Sequence, residues 1–389
     1  MKVNRIIWVL VLIAVINSMG FGIIIPLLYP YGKKFGVTEQ TIGLLTAAFS
    51  IAQFFATPVL GALSDKWGRK PLLIFSLIGT AISFVLFGLA NSIIMLFAAR
   101  ILDGLTGGNI SVAQAMISDI SSPKERAKNF GILGSAFGFG FVIGPAIGGL
   151  LSEFGIKVPF FFAAGIAVIG VLLSLLLLKE TNKNKNNKPA GKSNFTFAAL
   201  ITVLKKPVIG TAVFIGFLLT MAQFTMLIGF QTFSVDQLKL NPTQIGLFYG
   251  GFGITGILMQ MLVPAIKKII SKQSIILTIS TICCLGMMAL AGFATAFVLF
   301  AVSIGIYGLF NGLRNPMLNA IIADHNDEHE RGQVMGVNQA YASIGQTLGP
   351  VTAGLITAIS IHSVFFLSSL YILIALLFSF RLISKEKQP

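Results

Sequence analysis

Arg100 and Asp103 stand three residues apart in RILDGLTGGN, inside a stretch otherwise built from apolar and small side chains. Charged groups in such a setting are costly to bury and are by default functional. Proton coupling needs a group that gains and loses a proton near the working pH, and a desolvated carboxylate beside a cation is such a group. Asp103 and Arg100 are therefore the candidate proton-coupling pair; the alternative is an intrahelical ion pair that only neutralises two buried charges. Of thirteen acidic residues, only Asp103 falls well inside an apolar run. Arg100, Asp103, Gly107, Ser111 and Gln114 also follow a helical spacing, which predicts one shared face.

Other polar side chains recur deep in apolar runs, where they either join helices by hydrogen bonds or line a cavity. The candidate substrate-cavity residues are Asn17, Gln53, Ser111, Gln114, Gln223, Gln231, Arg314, Gln339 and Gln346. With 34 Phe and 12 Met available, such a cavity suits amphipathic compounds. Arg314, beside Asn311, Asn315 and Asn319, adds a second buried cation, and two arginines against one acid favour an anionic substrate. His325 and His329 lie four apart in the acidic loop HNDEHER, which reads as a solvated loop because that spacing brings metal ligands together only on a continuous helix. Cys283 and Cys284 are neighbours in one run and read as packing residues. No nucleophile elbow, phosphate loop or metal cluster is found, so no cofactor and no enzymatic activity are expected.

The elements that must position these residues are membrane helices. The chain is 55% hydrophobic and 11% charged, with mean hydropathy +0.88. Twelve apolar runs recur, at about 5–29, 41–64, 71–91, 94–119, 129–152, 158–178, 208–234, 244–267, 273–293, 296–323, 333–357 and 361–383. Each is long enough to cross a bilayer as a helix, so the fold class is all-α. The first run opens like a signal peptide, but its apolar core is too long and no cleavage site closes it, which predicts a retained helix.

A net charge of +15 raises nucleic acid as a partner, but its distribution argues otherwise. With both termini inside, 22 of the 28 basic residues fall in inner loops, four (Lys33, Lys34, Lys157, Lys239) in outer loops, and the remaining two are Arg100 and Arg314. This positive-inside bias predicts cytoplasmic termini and contact with anionic lipid.

Between the sixth and seventh runs lies KETNKNKNNKPAGKSNF, a polar linker. The expected organisation is a bundle over 1–178, a cytoplasmic linker over 179–207 and a second bundle over 208–389. The two halves match at a shift of 205: Asp119 falls on Asp324, Arg126 on Arg331, Gly144-Pro145 on Gly349-Pro350 and Gly149 on Gly354. Parallel repeats of this kind meet at a site near the bilayer midplane.

Three motifs carry a family resemblance. Gly61, Leu63, Asp65, Gly68, Arg69 and Lys70 fill Gly-x-Leu-x-Asp-x-x-Gly-Arg-Lys, which resembles motif A of the major facilitator superfamily. The resemblance implies a cytoplasmic latch in which Asp65 faces the start of the eleventh helix near Gly332, and Arg69 pairs with Asp119. Gly140, Gly144, Pro145, Gly148 and Gly149 are similar to the antiporter hinge of drug exporters in that superfamily, and the stretch from Arg100 to Asp119 resembles motif B, whose Arg is linked to proton transfer. The same resemblance implies twelve helices in two pseudo-symmetric six-helix bundles and proton-coupled efflux from a bacterial plasma membrane by a monomer. One departure stands out: related tetracycline exporters carry an Asp in the first helix where this chain has Asn17. Either coupling has moved to Asp103, or transport is coupled differently or not at all. A uniporter, an exporter of one metabolite or lipid precursor, and a non-transporting receptor or assembly factor stand as alternatives.

Overall fold

The computed structural model describes residues 2–182, 197–326 and 331–385, apart from the side chains of 2–4, 123, 124, 126, 127, 197–199 and 331–333. Most of the linker, together with His329 and Glu330, lies outside this set. In hydrocarbon, backbone N–H and C=O groups find partners only within the chain, and a helix satisfies them locally. Every regular element among the described residues is helical. The first half holds α1 (Lys2–Ile24), α2 (Leu28–Lys33), α3 (Glu39–Trp67), α4 (Arg69–Leu89), α5 (Ile93–Thr106), α6 (Asn109–Ile120), α7 (Pro123–Leu151) and α8 (Val158–Leu177). The second holds α9 (Phe197–Leu204), α10 (Ile209–Asp236), α11 (Pro242–Met261), α12 (Val263–Ile269), α13 (Gln273–Gly292), α14 (Phe297–Asp324), α15 (Arg331–Ile356) and α16 (Ser363–Lys385).

Ten spans, counting α5 with α6 as one, are long and apolar enough to cross a membrane, and the pair α11 and α12, bent by 47°, makes an eleventh. Helix α15, 26 residues long, occupies the place of the eleventh expected run but is diluted by Asn338, Gln339, Ser343, Gln346 and Thr347. Large apolar side chains such as Ile94, Leu176 and Leu355 remain exposed, as lipid-facing surfaces require.

Three expected runs are not single straight helices. The first stops at Ile24 because Pro26 disfavours helical backbone at Ile25 and brings no N–H. The fourth breaks at Gly107 and Gly108. The eighth bends beside Pro264, which also lacks an N–H for the ladder. Within the stretch expected to be linker, α9 is helical and packs on α10 and α15.

The chain groups into two compact units, one of Met1–Thr38, Ala48–Lys192 and Leu240–Gly250, the other of Glu39–Ala47, Ser193–Lys239 and Gly251–Pro389. In the first unit α1 packs on α7 and α8, and α4 on α8 and α5, around Leu10, Ile13, Leu73, Leu77, Met116 and Leu133. In the second, α10 packs on α15 and α16, and α13 on α14 and α16. Phe230, Phe233, Phe300 and Phe365 gather there with ring centroids 4.6 to 6.0 Å apart.

Candidate functional site

The break between α5 and α6 organises the polar centre of the first unit. Gly107 and Gly108 have φ of −72° and −81°, so their role is space and not left-handed backbone. A Cβ on Gly107 would lie 2.9 Å from Gln53 Nε2, and one on Gly108 would lie 2.5 Å from Leu60 Cδ1. Breaking a helix frees backbone groups that must find partners. Gln53 Nε2 donates to the Gly107 carbonyl at 3.1 Å, and the Ser76 hydroxyl donates to that of Thr106. Asn109, first residue of α6, and Asn17 of α1 exchange amide hydrogen bonds at 2.6 and 3.2 Å.

Beside this break sit Arg100 and Asp103, only 2% and 5% exposed. Their closest approach is 3.9 Å, from Arg100 Nη1 to Asp103 Oδ2, too long for a hydrogen bond. Arg100 Nε and Nη1 have no acceptor. The guanidinium instead lies over the rings of Phe49 and Phe21, with its carbon 4.4 and 5.7 Å from their centroids. Thr80 hydrogen-bonds to the Asp103 side chain. Asp103, Thr80, Asn17, Gln53, Gly107 and Asn109 line a cavity with about 30 Å³ of space, closed on its apolar side by Phe21, Phe49 and Phe84. That is room for about two waters.

The break corrects one expectation: Arg100 and Asp103 share a face of α5, but Ser111 and Gln114 belong to a separate helix. Ser111 donates back to the Gly108 carbonyl at 2.8 Å, and Gln114 is exposed. Thus Asn17 and Gln53 meet Asp103 at the cavity, while Ser111 and Gln114 are not among its lining residues. Phe21, Phe49, Thr80 and Asn109 belong to the site although sequence reasoning did not single them out.

In the second unit Arg314 is 2% exposed and donates to Asn311 Oδ1 and, at 3.4 Å, to Gln223 Oε1. Its Nε has no acceptor. Gln231 is also buried, with Oε1 unpartnered, whereas Gln346 is half-buried and Gln339 exposed.

A second polar cluster forms where α3 meets α4. Gly68, at φ 111°, turns the chain in a conformation that side-chain-bearing residues resist. Arg69 Nη2 lies 2.5 Å from Asp65 Oδ1, and its Nε lies 3.2 Å from Asp119 Oδ2. Glu180 accepts the backbone N–H groups of Arg69 and Lys70 at 2.9 and 3.3 Å, capping an α4 terminus that has no cap of its own. Thr181 Oγ1 donates to Asp119 at 3.1 Å, and Asn182 Nδ2 to the Asp65 carbonyl at 2.7 Å. On sequence alone these three residues belong to the linker; the available signal is a lone acid at the root of a lysine-rich stretch. A Cβ on Gly61 would meet no described atom within 4 Å, and the expected approach of Asp65 to Gly332 rests on side chains outside the described set.

The profile of the Major Facilitator Superfamily matches residues 10–305 and 236–389. The chain belongs to the major facilitator superfamily. The class H tetracycline resistance protein of Pasteurella multocida is 31% identical over 371 residues, 92% of this chain and 90% of its own. Multidrug resistance protein 2 of Bacillus subtilis strain 168 is 30% identical over 383 residues, covering 95% and 92%. Among solved structures, a bacterial homologue of the human lysosomal transporter Spinster agrees in fold with a TM-score of 0.82 at 15% identity, over 100% of this chain and 99% of its own. The human organic anion transporter MFSD10 does so at 0.73 and 19%, over 97% and 99%. As a major facilitator protein the chain is a multi-pass membrane transporter of small molecules and not an enzyme.

In this superfamily member the glycines of α7 form close seams. A Cβ on Gly140 would lie 2.9 Å from Met19 N, one on Gly144 2.5 Å from the Met19 carbonyl, and one on Gly148 2.7 Å from that of Ile23, so α7 meets α1 backbone to backbone. Gly149 faces α11 instead, where a Cβ would lie 2.9 Å from the Pro242 carbonyl and 3.1 Å from Gly246 Cα. Helix α7 runs unbroken through Pro145.

Proposed function

We propose that the chain exports small amphipathic compounds in exchange for protons by alternating access, with Asp103 carrying the proton and Arg100 as its charge partner. The observation that carries this reading is the loose 3.9 Å pairing beside a cavity with room for water. A carboxylate locked in a two-pronged guanidinium pair has no exchange route; one held at this distance beside water can trade a proton with it. The tetracycline and multidrug resistance proteins among the relatives support export. In this reading the halves 1–178 and 208–389 rock about a midplane site, joined by the linker 179–207. Gly61, Asp65, Gly68, Arg69, Lys70 and Asp119 serve as the latch, braced by Glu180, and the α7 glycines with Pro145 serve as the hinge. The basic inner loops support cytoplasmic termini in a bacterial plasma membrane.

Inverted membrane vesicles acidified inside are expected to accumulate a fluorescent lipophilic dye with the parent protein and not with Asp103→Asn. Equal uptake by the two would end the coupling assignment, and uptake by neither would end broad drug export. Asn17 favours a second reading, a uniporter or an exporter of one metabolite or lipid precursor, because its amide neither gains nor releases a proton near neutral pH and is tied to Asn109. Under that reading uptake follows the substrate gradient and ignores pH in both proteins.

A further inference from the structure

Arg314 places a permanent positive charge inside α14, and among the described residues no carboxylate lies within the 4.0 Å of an ion pair. It donates there to the neutral amides of Asn311 and Gln223, the neutral Tyr307 side chain lies within its hydrogen-bonding reach, and its Nε has no acceptor. Arg100 in the first unit is served differently, with Asp103 nearby and two aromatic faces beneath it.

The internal repeat offers a comparison for this charge. At the shift of 205, Arg314 occupies the place of Asn109. Asn109 joins α6 to α1 through an amide pair with Asn17, and Arg314 joins α14 to α10 through Gln223. The same kind of helix-to-helix contact is thus made with an amide in one half and a cation in the other. A buried guanidinium without a counter-charge carries a desolvation penalty that an amide avoids. Asn311 and Gln223 are themselves only half-buried, so the groups that hold the guanidinium are more exposed than it is.

We propose that Arg314 anchors an anionic group of the transported compound, a carboxylate on an aromatic body, and that Asn311 and Gln223 hold the guanidinium until that group displaces them. A forked guanidinium matches a carboxylate in geometry and charge. This inference rests on the transport reading but not on proton coupling.

The test is equilibrium binding to the purified full-length protein, without any gradient, using tritiated 1-naphthoate and tritiated tetraphenylphosphonium as matched probes. The parent is expected to bind naphthoate. Arg314→Gln is expected to weaken naphthoate roughly 30-fold, as loss of a charge-assisted contact does, while changing tetraphenylphosphonium less than about twofold; Arg314→Lys should recover part of the loss. Gln223→Glu keeps the cation and gives it an internal carboxylate, so it should weaken naphthoate by a similar factor and keeps the test readable if Arg314→Gln does not fold. Failure of the parent to bind naphthoate, or unchanged naphthoate affinity in either variant, overturns the proposal. Because no proton gradient is used, that failure leaves the vesicle experiment standing, and failure of the vesicle experiment leaves this binding result standing.

Discussion

Phe49 does for Arg100 what a second carboxylate would otherwise do, offering a negative ring face 4.4 Å from the guanidinium carbon. A desolvated contact of this kind is worth about 2 kcal/mol. Phe49→Leu keeps most of the bulk and removes the face, so thermal unfolding of the purified protein should show a loss of about that size. Phe21→Leu, whose ring stands at 5.7 Å, should cost less. Equal losses would mean that both rings act as packing alone. Arg100, Asp103 and Arg314 are legible in the sequence because a charge stands out in an apolar run. Phe49 is not, being one of 34 Phe. Asn17 is visible as a polar residue, but its partner Asn109 is not, since their meeting depends on where the fourth run breaks.

That break is the feature of the elements that periodicity hides. Membrane helices carry glycine routinely, and no proline marks Gly107-Gly108, so the run from 94 to 119 reads as continuous. The bend at Pro264 and the stop before Pro26 have a visible cause, yet both are masked in the sequence because apolar content continues through them. Close packing makes Gly104 the least replaceable glycine of the site: a Cβ there would lie 2.7 Å from Ala52 Cβ and would also strike the backbone carbonyl of Phe49. Gly107 meets the end of a flexible side chain, Gln53, at 2.9 Å. Gly104→Ala is expected to destabilise the protein by roughly 1–3 kcal/mol and Gly107→Ala by less. Detergent-solubilised melting curves would check the order, and the reverse order would mean that the break, and not the α3 crossing, governs stability.

At the scale of the whole chain the repeat is legible because Gly, Pro and charged residues match at one shift; of the twelve expected runs ten are membrane-length apolar spans, an eleventh is the bent pair α11 and α12, and the remaining one is the more polar α15. Similarity between halves did not reveal that Glu39–Ala47 groups with the second unit and Leu240–Gly250 with the first. The cause is backbone contact through glycine: Gly43 meets the Pro350 carbonyl and Gly354 Cα, and Gly246 meets the Pro145 carbonyl and Gly149 Cα. Both glycines sit in an Ile-Gly-Leu triplet, so the two crossings are copies of one another. Among the described residues the halves differ in their buried charges, Arg100 and Asp103 in the first and Arg314 in the second. If one proton enters for each monoanion that leaves, every cycle carries two positive charges inward, and each is worth about 2.3 kcal/mol per 100 mV of membrane potential. Inverted vesicles held positive inside, with equal pH on both sides, should then accumulate an aromatic carboxylate, and Asp103→Asn should respond less steeply to voltage. A monocation exchanged for a proton would move no net charge. For an anion, the electrical energy of the cell would drive its clearance even where the pH gradient has vanished.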